Sequence, residues 1–200
     1  MELNPGMYKT IIDPLLNSLR QRVYYHVAKD STVLDIACGT GDLAFKLAEK
    51  CRHVTGIDLY GPMVIYAGQK AEKENIDNTD FQIADASDLS RFSDDQFDTA
   101  TMSLALHQFN SDERTLILAE ALRVAPKLII ADYAQPIASM FLRSGVHVAE
   151  RIAGKEHYRN FNSFRHEGGT EMIATKNDYR VSHSELSGSG VFSVIVIERG

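Results

Sequence analysis

Hydrophobic positions along the chain follow two alternating rhythms. Over residues 10–28, Ile12, Leu15, Leu16, Leu19 and Val23 recur on one helical face. Short apolar runs then appear at about 32–37, 53–58, 81–84, 97–103 and 127–131. They are rich in β-branched residues and read as strands. Helical patterns separate them, at about 41–50, from Pro62 to about Glu74, and at 111–124. Pro62 suits a first helical turn. Ser111 reads as an N-cap, and Arg114 three positions on gives no capping box. Strands alternating with helices predict a mostly parallel sheet covered on both faces.

The pattern changes after the fifth strand. Residues 136–176 are the least regular stretch. They are expected to hold an amphipathic helix (137–153), an aromatic-rich loop reading HYRNFNSFRHEGG, and a second short helix. Two extended runs follow, 179–186 and 191–198, joined by Ser187-Gly188-Ser189-Gly190, which signals an antiparallel hairpin. No repeat, low-complexity tract or linker interrupts the chain. The expectation is one domain over 1–200, with an N-terminal helix at 8–29 and an insertion at 136–176.

Composition narrows the function classes. Two hundred residues suit one domain with a full core. A 44% hydrophobic and 24% charged composition is that of a globular chain. A net charge of −6 argues against broad attraction to nucleic acid or an anionic membrane. Cys38 and Cys51 offer neither a disulfide framework nor metal-ligand spacing, which fits a reducing compartment. No signal-peptide core or membrane-length apolar run is present, so a cytoplasmic location is expected.

The chemistry concentrates in VLDIACGTGDLA, residues 33–44. A strand carrying Asp35 runs into Gly39-Thr40-Gly41 and then a helix. This places free backbone N–H groups and a helix N-terminus beside one small ligand. A second strand ends in Asp58, suitably placed for two ribose hydroxyls. A nucleoside-containing cofactor follows. A pyrophosphate fits less well, since Asp35 and Asp42 would repel it.

Four blocks in order, VLDIACGTGDLA, GIDLY, IADASDL and FDTATMSLALHQF followed by LRVAPKLIIADY, resemble the class I S-adenosylmethionine-dependent methyltransferases. The small-molecule group of ubiquinone and menaquinone biosynthesis is the closest in flavour. The resemblance implies a Rossmann-like, doubly wound α/β fold: a seven-stranded, mostly parallel sheet with a C-terminal antiparallel hairpin. It implies S-adenosylmethionine as cofactor and S-adenosylhomocysteine as product. Asp35 would hold the cofactor's ammonium, and Asp58 the ribose. Asp85 and the Ala86 N–H would meet the adenine amine edge, with Leu59 and Met63 sandwiching the ring. Ala37, Gly39 and Gly41 would bring bare main chain to the ligand, and Ser103 and Leu104 would offer carbonyls. Tyr60-Gly61 departs from the small polar residue common in the family.

A sulfonium has a neutral leaving group, so the enzyme mainly aligns the acceptor and excludes water. His107 is the candidate base if the acceptor must lose a proton, with a structural histidine as the competing reading. The acceptor is expected under the 136–176 segment. Tyr133, Met140, Phe161 and Phe164 would form walls, and Arg143 and His147 a polar clamp, or simply a solvated stripe with Arg151. Gly168-Gly169 suits a turn or hinge.

The Asn/Asp-Pro-Pro-aromatic tetrad of many amino-group methylases is replaced by SLAL. Asp132 lacks a partner acid after the fourth strand, so no metal is expected. The acceptor's identity and the oligomeric state stay open. The rival readings are an NAD(P)-dependent oxidoreductase, an aminopropyltransferase whose motifs are not seen, and a non-catalytic S-adenosylmethionine-binding protein.

Overall fold

The computed structural model describes residues 13–137 and 140–199. The earlier part of the expected N-terminal helix lies outside these residues. Helix α1 covers Asp13–His26, and five strands and three helices follow. They are β1 (Thr32–Ile36), α2 (Asp42–Ala48), β2 (His53–Asp58), α3 (Gly61–Glu74), β3 (Thr79–Ile83), β4 (Thr99–Ser103), α4 (Ser111–Val124) and β5 (Lys127–Tyr133). Helices α5 (Met140–Ile152), α6 (Lys155–His166) and α7 (Gly169–Lys176) precede the hairpin β6 (Arg180–Leu186) and β7 (Phe192–Glu198).

The sheet has seven strands in the order β3-β2-β1-β4-β5-β7-β6. All neighbours from β3 to β5 are parallel, and β7 runs antiparallel to both β5 and β6. The strand order reverses between β1 and β4, where open α/β sheets leave a crevice at their C-terminal ends.

Period-two alternation divides the core. Leu34, Ile36, Leu128, Ile130, Ile195 and Ile197 bury into the layer shared with Ile117, Leu118 and Phe164. Val33, Ile129, Ala131, Val194 and Val196 bury into the opposite layer, with Leu19, Val23, Leu43 and Leu47. The edge strand β6 is mostly exposed, whereas β7 is buried almost throughout.

Two local expectations need correction. The cap of α4 is Asn110, one residue earlier than Ser111, and it makes a capping box after all. Asn110 Oδ1 accepts from the Asp112 and Glu113 amides, each at 3.0 Å, and Glu113 Oε2 accepts from the Asn110 amide at 2.8 Å. The stretch HYRNFNSFRHEGG is not a loop. Most of it is helix α6, whose buried positions Asn160, Phe161 and Phe164 share one face. Gly168, at φ +95°, lies in the turn between α6 and α7, and Gly169, at φ +76°, opens α7.

Candidate functional site

Two adjoining cavities open at the C-terminal ends of β1, β2 and β4. One, of about 510 Å³, is lined by Asp58, Leu59, Tyr60, Met63, Ala84, Asp85, Ala86, Ala105, Gln108 and Phe109. The other, of about 170 Å³, is lined by Leu16, Leu19, Arg20, Asp35, Cys38, Thr40, Asp42, Leu43 and Ser103. Ala37, Gly39 and Leu104 line both. A larger hollow of about 620 Å³ beside Asn17, Lys46 and Glu49 contains none of the predicted site residues.

The residues shared by both cavities have unusual backbone. Ala37 and Leu104 sit at φ of +55° and +54°, a region that L-residues seldom enter. Neighbouring strands hold them there: the Cys38 amide donates to Ile57 O at 2.9 Å, and the Leu104 amide donates to Ala131 O at 2.8 Å. Such strain concentrates at ligand-holding turns.

Asp58 stands at the mouth of the larger cavity. Its Oδ2 accepts from the Gly39 amide at 2.9 Å, and its Oδ1 from the Tyr60 amide at 2.8 Å. These bonds fix the carboxylate, and each oxygen keeps a second lone pair. Leu59 and Met63 present apolar surface at the same mouth, 68% and 38% exposed. Asp85 Oδ1 accepts from the Ser87 amide and hydroxyl, which orients this acid at the rim.

Asp35 lies in the floor of the smaller cavity and is 1% exposed. Thr101 Oγ1 donates to its Oδ1 at 2.8 Å. Its buried Oδ2 has no hydrogen-bond partner among the described residues. Burial pushes its pKa up to about 7, against the opposing Thr101 hydrogen bond. The Ala44 amide also favours the charged form. A buried carboxylate in the lining of a small cavity suits a cationic ligand group. Burial also pushes the Cys38 thiol up, aided by Asp35 and Asp58, so it is not a reactive thiolate.

Several expected residues stand elsewhere. Gly41 lines neither cavity. At φ +79°, a Cβ there would meet Phe45 and Phe81 at 2.9 Å, so this glycine serves helix packing rather than ligand approach. Gly39, at φ +53°, has nothing within 4 Å of its missing Cβ, and the free space belongs to the cavity. Asp42 is paired with Arg20 at 3.2 Å and Lys70 at 3.1 Å. Its expected repulsion of phosphate is therefore blunted, and that argument passes to Asp35.

Phe161 and Phe164 are fully buried and line neither cavity. They pack around His107 and are not exposed acceptor walls. Arg143 is exposed, and His147 pairs with the Tyr158 hydroxyl at 3.2 Å. The side chain of Met140 lies outside the described residues. Gln108, Phe109 and Arg20 were not foreseen as lining. Phe109 closes the quoted block ALHQF, whereas nothing in the pattern of α1 singles out Arg20.

His107 occupies a buried polar cluster instead of a cavity wall. It is 3% exposed, and its Nδ1 lies 2.7 Å from Asp132 Oδ1. Its amide donates to Asp132 Oδ2 at 3.1 Å. Its Nε2 lies 3.6 Å from Glu150 Oε2. Burial lowers the affinity of His107 for a proton, but Asp132 and Glu150 outweigh it and its pKa is raised. Glu150 also accepts from the Tyr133 hydroxyl at 2.7 Å, and its Oε2 lies 2.5 Å from His157 Nε2.

Residues 33–127, which build the cofactor-side walls, match the family described as a methyltransferase domain. This likeness covers 95 of the 200 residues. The chain is 40% identical over 118 residues to a demethylmenaquinone methyltransferase of Porphyromonas gingivalis, covering 54% of this chain and 45% of that protein. It is 32% identical over 142 residues to the ubiquinone/menaquinone biosynthesis C-methyltransferase UbiE of Allorhizobium ampelinum, covering 66% and 52%. The chain thus spans about half the length of the curated relatives it matches. In fold it is similar to an S-adenosylmethionine-dependent methyltransferase from Aquifex aeolicus, with a TM-score of 0.70 and 22% identity over 99% of this chain and 100% of that one. Among the described residues, no helix is long and apolar enough to cross a membrane.

Proposed function

We propose that the protein transfers a methyl group from S-adenosylmethionine to a small-molecule acceptor and releases S-adenosylhomocysteine. One observation carries this reading: the buried Asp35 carboxylate, whose Oδ2 has no close hydrogen-bond partner, belongs to the lining of the smaller cavity. A ligand with an ammonium at one end and a ribose at the other would satisfy Asp35 and Asp58 together. A pyrophosphate would bring negative charge against Asp35 instead.

In this reading Asp35 binds the ammonium, with Ala37, Ser103 and Leu104 forming the adjacent main-chain wall. Asp58, held by the Gly39 and Tyr60 amides, takes the ribose hydroxyls. Leu59 and Met63 pack against the adenine, with Asp85 and Ala86 at its edge. The bound cofactor supplies a methyl group on a sulfonium whose leaving group is neutral. The protein's own work is to align the two reactants and exclude water. His107 is not assigned the role of base, because its ring is buried and lines neither cavity.

The finer parts belong to the same proposal. The chain acts as one unit, with residues 136–176 as the acceptor-side cover. The names of the curated relatives favour a quinone-type aromatic acceptor. The net charge of −6 favours a cytoplasmic enzyme without a nucleic-acid or membrane partner.

Calorimetry with S-adenosylmethionine, S-adenosylhomocysteine and NADH tests the cofactor. Binding of NADH alone would overturn the reading. Transfer of a labelled methyl group to a panel of small phenols and reduced quinones, with Asp58→Ala as control, then separates an enzyme from a binding module.

A further inference from the structure

The cluster around Glu150 has a composition that simple packing does not explain. Glu150 comes from α5, His157 from α6, and His107 from the single turn Leu106–Gln108 after β4. His107 Nε2, His157 Nε2 and a Glu150 carboxylate oxygen all lie within 4.8 Å of one another. Their side chains are 4%, 23% and 8% exposed, respectively. Asp132 adds a second buried carboxylate on the far side of the His107 ring.

Charge makes this arrangement demanding. Two carboxylates, Asp132 and Glu150, face two imidazoles in a buried site. Arg114, the nearby cation, is committed to Glu167 at 2.6 Å. A divalent cation held between them would supply positive charge to this buried pair of carboxylates.

The hydrogen bonding has the form of a metal site. Nδ1 of His107 lies on a carboxylate and can donate its proton there, which leaves the Nε2 lone pair aimed at Glu150. A carboxylate behind a metal-binding histidine orients the ring and raises its basicity. Glu150 is supported in turn by the Tyr133 hydroxyl on Oε1, which leaves Oε2 toward both histidines. Tyr133, Phe161 and Phe164 surround His107 with aromatic edges.

We propose that His107, Glu150 and His157 form a divalent transition-metal site, of the two-imidazole, one-carboxylate type that suits zinc. Magnesium and calcium are disfavoured, since they prefer oxygen ligands. Tetrahedral zinc places its ligand atoms about 3.3 Å apart. The 3.6 Å separation between His107 Nε2 and Glu150 Oε2 already approaches that, and the 2.5 Å contact from His157 must widen. The metal would tie α5 and α6 to the turn that follows β4. It would therefore fix the acceptor-side cover to the cofactor-side wall.

The test uses the full chain, stripped with a chelator and titrated with zinc chloride by calorimetry and with cobalt chloride by visible absorption. The expected result is one tight equivalent, a visible cobalt band, and a zinc-dependent rise in melting temperature. His157→Ala, at a partly exposed position, is expected to abolish all three. Tyr133→Phe keeps every ligand and is expected to weaken zinc about tenfold. Absence of stoichiometric binding would overturn the proposal. So would binding that survives His157→Ala and disappears in His183→Ala, which would assign the metal to the His26, His183 and Glu185 group. S-adenosylmethionine affinity, read on the same samples, reports on the proposed function separately, because His157 lines neither cofactor cavity.

Discussion

Thr101 and Asp35 are hydrogen-bonded between neighbouring strands, with Thr101 Oγ1 donating to Asp35 Oδ1 at 2.8 Å. This bond satisfies one carboxylate oxygen and fixes the side chain in the lining of the smaller cavity. The folded pKa of about 7 stands above the ordinary aspartate value of 3.8, so the free protein keeps a proton that the unfolded chain loses. Its contribution to stability is intact below about pH 4 and is lost as the pH rises to about 7, amounting to roughly 4 kcal/mol. Cofactor binding runs the other way, since an ammonium needs the carboxylate. S-adenosylmethionine affinity is expected to rise from about pH 6 to about pH 8, with proton release below pH 7. Calorimetry in buffers of different ionisation enthalpy reads both effects.

Asp35→Asn separates the two effects. At about pH 8 the variant is expected to melt higher than wild type, because no buried charge is left uncompensated. Its cofactor affinity is expected to fall about tenfold or more, because a charge-assisted bond is lost. A variant that lost stability and kept its affinity would place the ammonium elsewhere.

Asp58→Ala is expected to weaken S-adenosylmethionine binding about ten- to hundredfold, equivalent to roughly 1.5–3 kcal/mol. The Gly39 and Tyr60 amides lose their acceptor in the same variant. Asp58→Asn retains an acceptor for them and should recover part of the loss. Equal affinities for wild type and both variants would exclude Asp58 from the ribose.

The two glycines of the turn should respond differently. Gly41→Ala is expected to lower stability by about 1–3 kcal/mol, because its Cβ would press on Phe45 and Phe81 at 2.9 Å. Gly39→Ala meets no neighbour within 4 Å and carries only the cost of a positive φ, so most of its effect should fall on cofactor affinity. Chemical denaturation beside binding titrations distinguishes them.

Arg114 is fully buried in α4 and anchors α6. Its guanidinium donates to Phe109 O, Asn160 O, Ser163 Oγ and Glu167 Oε1. Arg114→Met is expected to lower stability by about 3–5 kcal/mol, since those acceptors lose a buried charge partner. Glu167→Gln, at a partly exposed position, should cost less. Equal losses in thermal melts would mean that the ion pair itself, not the carbonyl contacts, carries the anchor.

The strands were readable because each apolar run is short, β-branched and bounded by turn residues, whereas their order in the sheet has no such local signal. The acids at the strand ends were readable for the same reason, since their sequence position fixes their place on the rim. Helix α6 was missed because its mean composition is polar and aromatic, although Asn160, Phe161 and Phe164 carry helical spacing. The α4 cap was misplaced by one residue because Asn110 and Ser111 both suit the position. The role of Gly41 depended on Phe81, a residue from another strand. The grouping of His107, Glu150 and His157 had no linear signature, because three separate elements supply it.

Residues 33–109 furnish nearly all the walls of the two cavities at the sheet's rim, and no described residue of 136–176 lines either. The family match ends at residue 127, before that second segment begins. On the proposed function, exchange of the second segment alone would change the choice of acceptor and leave cofactor binding in place. Any such graft would have to keep two seams: Arg114 with Glu167, and His107 with Glu150.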